Sequence, residues 1–169
     1  MKIKQLSALV LLLAMGCNTA TQTIEVESPS LRLTAEGPLY DGSNTATAAW
    51  RINIAEWLGE DIVSTDIVSA KITSIRLKSR NTENFDLLND VSVQLAGPKV
   101  AMKKVGFLNP VPADLGILDL KLAEDQKGLA EFFGLREITL VADLDLKEEF
   151  DDDLQFDAQL KLTFEIKAK

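Results

Sequence analysis

The chain has 169 residues, with 18 Lys and Arg against 26 Asp and Glu, a single Cys and no His. A formal charge of -8 leaves little cationic surface to neutralise phosphates, which argues against nucleic acid as a partner. Without His, the commonest general base and metal ligand is missing, and one Cys can form neither an internal disulfide nor a Cys-cluster zinc site.

At the N-terminus, Lys2 and Lys4 precede the apolar run from Leu6 to Met15. That run falls short of the about 20 residues of a spanning helix and matches the hydrophobic region of a secretory signal peptide. Small residues, Ala14-Met15-Gly16, then lead directly into Cys17. The arrangement resembles the type II signal peptide of bacterial lipoproteins. The resemblance implies removal of residues 1–16 and acylation of Cys17, a covalent lipid being the one non-protein group expected. It also implies outer-membrane delivery, because Asn18 stands where Asp is the inner-membrane retention signal of enteric bacteria. The leaflet, periplasmic or surface, stays open. Loss of Lys2 and Lys4 takes the formal charge from -8 to -10, so an anionic lipid surface would repel the domain. The acyl chains, at about 0.8 kcal/mol per buried CH₂, would do the holding.

Residues 17–30 then read as the lipidated Cys and a polar tether, reaching roughly 20 Å as a flexible coil. Ile24 and Val26 alternate with Glu25 and Glu27, so part of it could instead be an edge strand. Residues 31–169 read as one folded domain.

Within that domain apolar residues recur at every second position, the period of a half-buried strand. Leu31, Leu33 and Ala35 form the first run, and Ala48, Trp50, Ile52 and Ile54 the second. Ile54, Trp57 and Leu58 before Gly59 have helical spacing, which predicts a helical turn there. From Ala70 to Leu77 the phase slips between Ile72 and Ile75, predicting a β-bulge. Val91, Val93 and Leu95 follow, then Leu118, Leu120 and Leu122. Leu129, Phe132 and Phe133 predict a second short helix, with Asp125 as N-cap and Gly134 past its end. Two long runs close the chain, Ile138 to Leu146 and Leu154 to Ala168, read as one antiparallel hairpin pairing Leu146 with Leu154. Turn signals at Gly37-Pro38, Asp41-Gly42, Gly97-Pro98 and Asn109-Pro110-Val111-Pro112 punctuate the runs. The expected fold is an all-β antiparallel sandwich, Ig-like or jelly-roll, of seven to eight strands with one or two short helices.

The stretch from Ala70 to Leu77, then Asn84-Phe85-Asp86-Leu87-Leu88, then Val91 to Leu95 is similar to small uncharacterised β-sandwich lipoproteins of Bacteroidota. That likeness implies a fold and a location, and no activity.

Three sets of residues are candidate sites. The hairpin would place Asp143 opposite Asp157 beside the acidic turn of Glu148, Glu149, Asp151, Asp152 and Asp153, a set of oxygens suited to Ca²⁺; Phe150 would anchor the turn. Tyr40, Trp50 and Trp57 could make a carbohydrate platform; Trp50 is in phase with the core, which leaves Tyr40 and Trp57 as the ligand-facing pair. Leu129, Phe132 and Phe133 with the Phe107–Pro112 loop would either expose an apolar patch or close an end of the sandwich. No catalytic site is expected: no triad forms without His, and no Ser precedes Lys by three residues. The expected role is a non-catalytic, membrane-anchored accessory or ligand-binding component of the cell envelope, docked to an envelope protein complex. A carbohydrate-binding surface module and a Ca²⁺-stabilised adhesion or packing domain are the alternatives.

Overall fold

The computed structural model describes residues 20–168, so the signal segment, Cys17 and Asn18 lie outside the described residues. The longest alternating run builds the longest strand, β10 (Leu154–Lys167), whose even-numbered side chains from Leu154 to Ile166 are all buried. On one side it pairs antiparallel with β4 (Ile67–Ser79). The expected bulge is there: Ser74 faces Lys161 and Ile72 faces Leu162, so Thr73 is extra and both isoleucines point inward.

On its other side β10 pairs in succession with β1 (Thr21–Glu27) and β2 (Leu31–Ala35). Most of the expected tether is therefore edge strand, because Ile24 and Val26 pack against the core. Between the two strands Pro29 has no N–H to give. Ser28 fills the break: its N–H donates to the Leu160 carbonyl at 2.8 Å, and its Oγ accepts the Leu160 N–H at 3.0 Å. Ser28→Ala is expected to orphan that buried N–H and cost about 1–3 kcal/mol. Urea unfolding checks it: Ser28→Thr should stay near the parent, and an unshifted Ala variant would contradict the assignment.

β2 meets β3 (Gly42–Arg51) through the single pair Thr34–Thr47. From there the sheet runs through β9 (Glu137–Leu146), β5 (Leu88–Gly97) and β6 (Val100–Leu108) to β8 (Lys121–Leu122), while β7 (Ile117–Asp119) adds to the far edge of β4. Its two end strands are thus one segment, with Leu120 between them donating its N–H to the Ile75 carbonyl at 2.9 Å. The sheet nearly closes on itself as a barrel. Gly106 permits the approach at this joint, since a Cβ there would lie 2.7 Å from Ile75 Cδ1. Beyond β7, Gln126 stands in for a strand, its side-chain amide bonding both the N–H and the carbonyl of Ile72 at 2.7 and 3.0 Å.

Several expectations are corrected. Among the described residues, hydrogen bonding joins ten strands in one antiparallel sheet, more than the seven or eight expected. β9 and β10 are not a hairpin: β9 pairs with β3 and β5. The run from Leu118 to Leu122 is two strands, because pairing switches from β4 to β6 at Leu120. The second run starts earlier, at Gly42, and β6 had no sequence signal.

Helices α1 (Ile54–Leu58) and α2 (Leu129–Phe133) form where their spacing predicts. The N-cap of α2 is Gly128, at φ 79, and not Asp125. Asp125 instead accepts from the Lys127 N–H and the Lys103 ammonium. Among the described residues no helix is long and apolar enough to cross a membrane.

Candidate functional site

Strand directions divide the molecule into two ends. At one lie the start of β1, the end of β10, the start of β4 and both helices; at the other lie the 147–153 turn, the start of β3 and the loops around residues 37–41 and 80–87.

The acidic turn is fastened to its surroundings. Leu39 and Phe150 exchange both backbone hydrogen bonds, at 2.8 and 3.0 Å, and the Gly37 N–H donates to Asp153 Oδ1 at 2.9 Å. Phe150 packs against the core, as expected of an anchor. Glu148, Glu149, Asp151 and Asp152 point to solvent. Asp143 and Asp157 do not face each other, because β9 and β10 are not neighbours. Asp143 lies between Thr45 and Ser92 and accepts from Gln94 Nε2; Asp157 lies between Arg32 and Lys78 and accepts from Arg80 Nη1 at 2.9 Å. Each carboxylate has its own donor, and the like-charge opposition that suggested a cation is not formed. Among the described residues no three His, Cys, Asp or Glu side chains converge as a metal site.

The aromatic candidates separate in the same way. Tyr40 is 63% exposed just before β3, whereas Trp57 follows β3 on α1, so the ten-residue strand, about 33 Å long, keeps them apart. Trp50 is core, with its indole Nε1 buried and without an acceptor. It lies 5.6 Å from Trp57 and 5.9 Å from Phe133, which in turn meets Phe164 edge-on at 5.0 Å. Leu129, Phe132 and Phe133 are fully buried, so α2 closes this end of the barrel and exposes no apolar patch.

Two of the open recesses near this end concern the candidate residues or their neighbours. One, about 530 Å³, lies between the β1–β2 bend and α1, where Trp57, Asn53, Arg51 and Gln159 offer an aromatic surface and polar groups to a hydroxylated ligand. The other, about 510 Å³, lies between Val68–Lys71 and the 124–131 segment. Sequence reading missed both the second recess and the exposed apolar side chains beside it, Val63 and Val68, since isolated valines in a β-rich chain read as core.

Exposed ion pairs fasten the barrel's joint. Arg76 on β4 binds Asp119 on β7 at 2.8 Å, which raises the arginine and holds the Asp119 carboxyl below its usual range. Hydrogen bonding from Lys103 lowers Asp125 in the same sense. A lowered carboxyl stabilises the fold above its unfolded pKa and loses that contribution as pH falls through the folded one; at these exposed positions the contribution is small.

No protein-family model matches the chain, and no curated protein matches it. A solved chain of Desmodium yellow mottle tymovirus is similar over 98% of both chains at 8% identity, with a TM-score of 0.32, a likeness too slight to carry any argument.

Proposed function

We propose that the protein is a lipid-anchored lipoprotein of the bacterial outer membrane, with a non-catalytic accessory or ligand-binding role in the envelope. One observation carries the reading: Cys17, at the end of a segment with the build of a type II signal peptide, stands three residues before Ala20, which directly precedes the first strand. The Ala20 carbonyl already accepts the Ala168 N–H at 2.8 Å. A lipid on Cys17 would therefore hold the barrel close to the bilayer, confined to two dimensions and concentrated for neighbours in the same membrane, an envelope protein complex among them. Asn18 supports the outer membrane as the destination. The finer fold belongs to the same reading: the lone Thr34–Thr47 pair lets the barrel flatten into two layers, as a jelly-roll sandwich does.

The experiment is fractionation of cells producing the parent or Cys17→Ser. The parent should sediment with outer membranes and the variant should not. A variant that still partitions with membranes like the parent overturns the anchoring.

A further inference from the structure

We infer that the end of the barrel bearing Val63 and Val68 lies against the bilayer surface, an orientation that rests on the lipid-anchored reading above. The argument starts from chain length. Ala20 is fixed to Ala168, and the three residue steps back to Cys17 span at most about 11 Å. An acylated Cys17 therefore brings this end, and not the other, to the lipid. β10 has 14 residues and is about 45 Å long, so the acidic turn before it is held far from the membrane.

What the near end presents suits an interface. Val63 and Val68 are 55% and 49% exposed and flank the 3-10 turn Ser64–Asp66. That turn is pinned beside the chain's exit, where the Lys167 ammonium donates to the Thr65 carbonyl at 3.0 Å and Ile67 pairs with Ile166. Lys71, three residues beyond Val68, is exposed on the same strand and lines the second recess. Two carboxylates beside the valines have protein donors: Asp66 accepts the Val63 N–H at 3.1 Å, and Glu165 accepts the Ser69 hydroxyl at 2.7 Å; Glu124 and Glu131 are exposed in the recess that Lys71 also lines. The surface thus carries two exposed valines with Lys167 and Lys71 on the same end, placed for the valines to enter the headgroup boundary and for the two ammonium groups to meet lipid phosphates.

The test uses the full chain as the cell processes it, placed in vesicles of phosphatidylethanolamine and phosphatidylglycerol. A fluorophore is attached at Val63→Cys or Val68→Cys, both at exposed positions the fold tolerates, and for comparison at Asp152→Cys. Cys17 is blocked by its lipid, so each variant takes one label. A lipid carrying a nitroxide then quenches what lies at the interface. The labels at 63 and 68 should lose most of their emission and the label at 152 should keep it. Equal, weak quenching at all three positions, in protein whose mass shows a lipid on Cys17, overturns the orientation and leaves the anchoring standing. A second fluorophore on Cys17 itself shows a free thiol and overturns the anchoring and this orientation together.

Discussion

Phe133→Ala is expected to lower the free energy of unfolding by about 3–5 kcal/mol, the range for emptying a buried aromatic site. The ring is 1% exposed and lies edge-on to Phe164 at 5.0 Å and to Trp50 at 5.9 Å. Truncation removes apolar burial and aromatic contacts worth about 0.5–1.5 kcal/mol each beyond it. Neighbours can relax little, since Leu129 and Phe132 of α2 are themselves buried. Against a total stability of about 5–15 kcal/mol, this loss is a large fraction. Phe133→Leu keeps most of the volume and should lose much less. Urea unfolding gives the answer: a lower midpoint at unchanged slope is expected. A loss below about 1 kcal/mol would mean that α2 does not seal the barrel.

The second large effect is Gly37→Ala. A Cβ there would lie 2.6 Å from the Asp152 carbonyl carbon and 2.8 Å from the Asp151 oxygen, so relief requires moving backbone. That backbone is held by the Gly37–Asp153 hydrogen bond and the Leu39–Phe150 pair. A cost of about 3 kcal/mol follows, at the upper end of overpacking. Gly106→Ala is the control. Its nearest obstacle is the flexible tip of Ile75 at 2.7 Å, so about 1 kcal/mol should suffice. Equal losses, or the reverse order, would mean that the acidic turn does not lie against Gly37.

Which parts of the fold were legible follows from what periodicity encodes. Alternation says which face of a strand is buried, and it located β9, β10 and the bulge between Ile72 and Ile75. It does not say which strand lies beside which. The seven residues from Lys147 to Asp153 therefore looked like a hairpin turn, although Phe150 pairs with Leu39 and β9 goes to β3 and β5. The expected opposition of Asp143 and Asp157 fell with that pairing, since it needed β9 beside β10. β6 was hidden because Val105 and Gly106 are adjacent and both buried, which breaks the period; its pairing with β5 shifts register between Val93 and Gln94. Ser28 and Gln126 also lay beyond sequence reading. Their side chains complete backbone pairings with Leu160 and Ile72, more than fifty residues away in the chain. The two helices were legible because five residues at helical spacing ending at a glycine are local information.

The most direct test of the central claim is the mass of the N-terminal peptide of the protein purified from membranes. A chain beginning at Cys17 and carrying a diacylglyceryl thioether is the predicted result. A chain that still includes residues 1–16, or one with an unmodified Cys17 thiol, would contradict it.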